Sequence, residues 1–171
     1  MKTLLLSSLI ALLASLAAMA ELPLKLELMA PKEPVTLKKV DLEKPGVGAA
    51  APKVDITLTY RITNTGKEKI TLEHGGDATT NTLSITGPGA VDSPYKGMMT
   101  MEFRMGKPIT LAAGESKEFE IKGLKYGKRD MSYWSITKSG DYEVTMTYNT
   151  RSGREKVVLK SNTAKFSAVI K

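Results

Sequence analysis

One histidine and no cysteine leave this chain few ways to do chemistry. His74 ends a stretch in which Ile70 and Leu72 alternate with Thr71 and Glu73, which puts its ring in inward phase. A nucleophilic triad would need it beside a serine and a carboxylate, and no Gly-x-Ser-x-Gly elbow is present. Gly75-Gly76 lacks the further glycine and the lysine of a phosphate loop, so it reads as a turn. His74 is therefore expected to be satisfied at a sheet end. No catalytic residue is assigned, and the chain is not expected to be an enzyme.

Met98, Met99, Met101 and Met105 fall within eight residues. Thioethers select Cu(I), and His74 would be the natural further ligand. The period argues differently. Met99, Met101, Phe103 and Met105 stand two apart, as on a strand that faces a core, and methionine fills irregular cores well. A hydrophobic contact surface is the third reading. Packing is preferred, so no metal site and no cofactor are expected.

Lys125-Tyr126-Gly127-Lys128-Arg129-Asp130 joins cations to an aromatic on a connection between strands. Loops on a rigid scaffold often carry recognition, and Tyr and Arg dominate interface energetics. Tyr126, Lys128 and Arg129 are the candidate interaction residues. Lys128 or Arg129 could also serve as the basic bait of a proteinase inhibitor. A plain solvated connection is the alternative.

The elements that must position these residues are strands. Leu22, Leu24, Leu26 and Leu28 alternate with polar or proline positions and predict a first strand. Residues 30–53 carry four prolines, which predicts an extended connection with a short edge strand over residues 35–40. Val54, Ile56, Leu58, Tyr60 and Ile62 then alternate cleanly with polar residues. Asn64-Thr65-Gly66 turns the chain, and the strand ending at His74 is expected to pair with the one before it. Leu83 and Ile85 form a short strand closed by Gly87-Pro88-Gly89. Phe119 and Ile121 share a face of another. Residues 125–139 read as a long connection with a helical turn, holding Trp134, the one tryptophan. Tyr142, Val144, Met146 and Tyr148 face one way in the next strand. Residues 155–171 return as a long last strand with a bulge near Ser161-Asn162.

Strands spaced by Gly, Pro and Asn turns, with no helix period between them, predict an all-β fold, an antiparallel immunoglobulin-like β-sandwich. Gly140-x-Tyr142 opens the penultimate strand as a tyrosine corner does, with the hydroxyl turned back to nearby backbone. Tyr142 and Trp134 are read as structural, Trp134 capping one end of the sandwich.

Lys2, the apolar run over residues 4–16 and Ala18-Met19-Ala20 have the form of a secretory signal peptide, with cleavage expected between Ala20 and Glu21. The run is too short to cross a bilayer core, so no membrane span is expected in the mature chain. The organisation read from the sequence is a signal peptide over 1–20, a strand with a proline-rich connection over 21–53, and the sandwich over 54–171. Removing twenty of 171 residues leaves 151, enough to bury a real core in one domain. Lys2 is the only basic residue removed, which leaves 24 Lys+Arg against 18 Asp+Glu, a net charge of +6. This excess is too diffuse for nucleic acid, and it favours anionic envelope polymers. Without cysteine, an exported domain must hold together by burial alone. The expected location is the periplasm or the extracellular space.

Thr59-Tyr60-Arg61-Ile62-Thr63-Asn64-Thr65-Gly66, Leu83-x-Ile85-x-Gly87-Pro88-Gly89-Ala90, Ile109-x-Leu111-x-x-Gly114-Glu115 and Gly140-x-Tyr142 carry a resemblance. Over residues 56–170 the chain resembles uncharacterised Ig-like secreted proteins of bacteria such as the planctomycetes. The blocks "strand, Asn-Thr-Gly, strand" and "Leu-x-x-Gly-Glu" are also similar to BsuPI-type proteinase-inhibitor domains. Neither resemblance implies a catalytic or binding residue here. The function expected is an exported, non-catalytic Ig-like module that binds a protein or an envelope polymer. A secreted inhibitor offering a basic loop and a Cu(I) carrier are the alternatives.

Overall fold

The computed structural model describes residues 22–38, 54–99 and 101–171. The expected signal peptide, its cleavage point and residues 39–53 of the proline-rich connection lie outside the described residues. The strands are β1 (Leu24–Met29), β2 (Val35–Leu37), β3 (Thr57–Asn64), β4 (Ile70–His74), β5 (Thr80–Thr86), β6 (Ala90–Ser93) and β7 (Lys107–Leu111). They continue with β8 (Ser116–Lys122), β9 (Lys125–Tyr126), β10 (Ser132–Ile136), β11 (Gly140–Ser152), β12 (Glu155–Lys160) and β13 (Ala164–Ile170). A 3₁₀ turn, Lys128–Asp130, links β9 to β10. No helix among the described residues is long and apolar enough to cross a membrane.

The alternation read in the sequence decides which faces meet. Leu26 and Leu28 of β1, Leu58, Tyr60 and Ile62 of β3, and Ile121 of β8 are buried. These strands form one antiparallel sheet in the order β1-β3-β8. The second sheet is built on β11, whose Tyr142, Val144, Met146 and Tyr148 are buried. β5 pairs with β11 on one side, while β12 and β13 follow each other along its other side. β2 adds to β13 as a parallel edge strand. The two inner faces close into a β-sandwich with one continuous core. Each fully buried Leu or Ile is worth about 1.5–3 kcal/mol relative to exposure.

The expected bulge is present. Thr147 pairs with Lys160 and Val144 with Ala164, so two residues of β11 stand opposite three of the returning strand. Ser161 fills the gap: its N–H donates to Met146 O at 2.9 Å, and its hydroxyl accepts from Met146 N–H at 2.9 Å. Asn162, the next residue, ties the sheets together. Its Oδ1 accepts from Leu28 N–H at 2.8 Å and its Nδ2 donates to Leu28 O at 3.1 Å. The side-chain amide thus completes the open edge of β1, where an unpaired strand would otherwise be exposed.

The tyrosine corner also forms. Tyr142 is 1% exposed, and its hydroxyl donates to Lys138 O at 2.6 Å and to Pro88 O. Gly140, at φ 146°, packs against Pro88, where a Cβ would sit 2.6 Å from the proline ring. Trp134 lies half-buried on β10 against the core, with Nε1 donating to Leu83 O at 3.0 Å.

Three expectations are corrected. β3 and β4 are not paired: β3 lies between β1 and β8, and β4 pairs with β7. The cause is Asn64, fully buried, whose Nδ2 donates to Glu68 O, Leu111 O and Ala112 O at 2.7, 3.1 and 3.1 Å. It fastens the turn to the end of β7, so the chain leaves its own sheet. Residues 125–139 are not mainly connection, since β9 and β10 with β6 form a small third sheet around the helical turn. The methionine stretch is not a core strand. Residues 94–106 contain no strand among those described, and Met98, Met101, Phe103 and Met105 are 96%, 102%, 66% and 82% exposed.

Candidate functional site

Two residues of the basic segment, Tyr126 and Arg129, turn inward, while Lys128 and Asp130 are exposed. Tyr126 is buried, and its hydroxyl donates to the Asp92 carboxylate on β6. Burial and that carboxylate push its phenol up to about 12. Arg129 forms a two-point ion pair with Asp77: Nε to Oδ1 at 2.7 Å and Nη2 to Oδ2 at 2.6 Å. Both side chains are shielded, at 10% and 4% exposure. Arg129 Nη2 also donates to Glu102 O, and Asp77 Oδ2 accepts from Arg104 N–H at 3.1 Å. The guanidinium bond holds the Asp77 carboxyl well below the usual carboxylate range, with the Arg104 amide adding to it. Of the three residues singled out here in the sequence, Lys128 alone is exposed. Arg129 and Asp130 have φ of 56° and 54°, so the turn is curled where an inhibitor loop would be extended.

That ion pair anchors the methionine loop. Asp77 N–H donates to Arg104 O at 2.8 Å, and Gly76 abuts the backbone of residues 104–106 so closely that a Cβ could not fit. At the other end, Tyr95 N–H donates to Ser132 Oγ at 3.1 Å and Tyr95 Oη to Met98 O at 2.9 Å. The loop is thus fixed at its base while four large apolar side chains point to solvent. Isolated exposed hydrophobes are ordinary, whereas several on one loop mark a contact surface.

Beside the same turn, a cleft of about 690 Å³ opens between β8 and the β4–β5 connection. His74 and the two tyrosines Tyr60 and Tyr148 line it. His74 stacks on Phe119, with ring centroids 4.0 Å apart, and its Nδ1 lies 2.9 Å from Tyr148 Oη. Burial pulls the imidazole below its ordinary 6.5 and pushes Tyr148 up to about 12. Tyr60 is 5% exposed, and its hydroxyl makes no hydrogen bond with any described residue. Burial, then Tyr148 and Asp130, push its phenol upward. The rim carries Glu120 and Lys122, paired at 3.3 Å, with Lys125 and Asp130. A larger groove, about 900 Å³, runs between β1 and β12, but the Asn162 amide on its wall is already taken up by Leu28.

His74 is thus held at a sheet end as its sequence phase suggests, opposite Lys107 of β7. Among the described residues, no group of three or more His, Cys, Asp or Glu side chains is placed to hold a metal ion. Sequence reasoning missed Asp77 and Tyr60. Asp77 read as part of a glycine turn, and its partner lies 52 residues away. Tyr60 read as one more inward position of β3. The usable signal was a hydroxyl within an otherwise aliphatic face.

No family model matches the chain, and no curated protein matches it. Among solved structures it is similar to native alpha-2-macroglobulin from Escherichia coli, solved from domain MG7 to the C-terminus. That match has 15% identity and a TM-score of 0.38, over 88% of this chain and 17% of the other. A β-glucosidase from Erythrobacter marinus matches at 11% identity and TM-score 0.30, over 85% of this chain and 15% of the enzyme. The CooA pilin subunit of enterotoxigenic Escherichia coli matches at 8% identity and TM-score 0.26, over 85% and 99%. The chain therefore spans less than a fifth of the first two proteins. Scores this low carry no argument about activity or partners.

Proposed function

We propose that this is an exported, non-catalytic Ig-like module that binds another protein through residues 94–106. The observation that carries the reading is the loop itself: Met98, Met101, Phe103 and Met105 are exposed while the Arg129–Asp77 pair fixes its base. A loop already ordered loses less conformational freedom on binding, and methionine adapts its shape to a partner. The non-catalytic part of the reading is supported by His74, whose ring is stacked on Phe119 and engaged by Tyr148. Export is supported by the signal-like segment at the N-terminus.

The test is photo-crosslinking from position 103 in the producing cell, with a control probe at the exposed Lys160 of β12. One discrete protein adduct is expected from position 103 alone, and Met101→Ser should abolish it. Equal labelling from both positions would refute the docking role. N-terminal sequencing of the exported product should return Glu21, and Met1 would refute export. The exposure of three thioethers on this loop also favours the Cu(I) reading over its burial in a core. A stoichiometric Cu(I) titration lost in Met98→Leu with Met101→Leu would put that reading first. The inhibitor reading loses support because Arg129 is engaged by Asp77 and the turn is curled.

A further inference from the structure

We propose that the cleft beside β8 is a second binding site, for a neutral polyhydroxylated ligand, a sugar residue, with Tyr60 Oη as its central hydrogen-bonding group.

The first reason is a hydroxyl that faces the cleft and has no partner among the described residues. Tyr60 is 95% buried, and every other deeply buried polar side chain on the cleft floor has a partner: Tyr148 meets His74, and Thr79 reaches Gly76 O at 3.5 Å. The hydroxyl opens onto the cleft, where a bound ligand can take the hydrogen bond that water otherwise supplies. His74 offers a second such atom. Its Nδ1 is engaged, while Nε2 makes no hydrogen bond with any described residue. Its ring is disposed to stay neutral, so it presents either a donor or an acceptor, depending on the tautomer, without charge.

The second reason is charge. The rim holds Lys122 and Lys125 against Glu120 and Asp130, and the guanidinium of Arg129 is neutralised by Asp77. Opposite signs in equal number give no attraction for a phosphate or a polycation, and they supply donors and acceptors side by side. A sugar needs that mixture, because each hydroxyl both donates and accepts. The size fits as well, since small-molecule sites span about 300–1,000 Å³.

This site does not depend on the methionine loop, and the two can fail separately. The experiment is amide NMR of the intact protein titrated with a panel of neutral oligosaccharides at millimolar concentration. Free glucose, glycerol, inorganic phosphate and an acidic peptide are the other arms. One oligosaccharide should shift the amides of Gly75, Gly76, Asn81 and Gly127. Tyr60→Phe should weaken it about fivefold or more, the equivalent of one hydrogen bond, with the urea midpoint unchanged. An equal response to free glucose or glycerol would assign the site to a free polyol instead of a glycan. Binding of phosphate or peptide alone, shifts outside the cleft, or no shift in any arm would overturn the proposal. If Tyr60→Phe lowers stability, Asn81→Ala decides, and an unchanged titration there overturns it. Met101→Ser should leave the sugar shifts intact.

Discussion

Residues 142–148 and residues 99–105 place a large apolar side chain at every second position, yet the chain buries the first set and exposes most of the second. In β11, Tyr142, Val144, Met146 and Tyr148 are all inside. In the loop, Met101, Phe103 and Met105 are outside and Met99 is half-buried. The difference lies at the strand edges and at the ends. β11 interleaves Glu143, Thr145 and Thr147 and has partner strands on both edges. The loop interleaves Thr100, Glu102 and Arg104, but it is bounded by Gly97 and Gly106 and runs into Pro108. Its backbone bonds go instead to Asp77 and Arg129. Alternation alone therefore does not make a strand; it needs an edge to pair with.

The largest expected effect comes from the same residue type in the two regions. Met146→Ala should lower unfolding stability by about 2–5 kcal/mol, because the cavity forms between two packed sheets. Met101→Ala should change it by less than about 0.5 kcal/mol, as an exposed position does. Urea unfolding with unchanged slope measures both. A comparable loss at Met101 would mean that the loop packs on the core in solution.

The parts of the fold legible in the sequence were those set by local pattern. The faces of β3 and β11, the Ser161-Asn162 bulge and the tyrosine corner are each signalled by residues adjacent in sequence, although the bonds that complete the last two reach other strands. What was illegible rests on side chains that bond far from their own strand. Asn64 reads as a turn residue, and its reach to Leu111, 47 residues on, redirects β4. Arg129 reads as an exposed cation because its partner Asp77 sits in a different turn. The cleft was hidden for the same reason, since β3, β4, β8 and β11 all contribute to its wall and to the rings behind it.

A smaller effect is expected at the tyrosine corner. Tyr142→Phe keeps the ring against Phe166, centroids 5.3 Å apart, and removes the hydroxyl from Lys138 O and Pro88 O. A loss of about 1 kcal/mol or somewhat more should follow, read as a lower urea midpoint. An unchanged midpoint would mean that the corner follows from the turn glycines and not from the bond.

The smallest effect on global stability should come from the Arg129–Asp77 pair, and it is the one that separates loop from core. The folded Asp77 carboxyl titrates below its ordinary 3.8, chiefly because Arg129 bonds the ionised form. The unfolded chain therefore takes up the proton first as pH falls, and stability falls with it. The pair's contribution is fully present above 3.8 and is lost as pH drops below that value through the folded-state one. Lys128 adds to the depression of Asp77, and Glu102 helps hold the charge on Arg129. Because the pair anchors residues 94–106 and not the sheets, the first event in acid should be release of the loop. In an amide NMR titration, Asp77 and Arg104 should lose protection before Val144 and Met146 do. At neutral pH, Asp77→Asn should speed chymotrypsin cutting after Phe103 while the urea midpoint moves little. Loss of loop and core protection at one common pH would show that the ion pair supports the whole sandwich and that the loop is not a separately anchored unit.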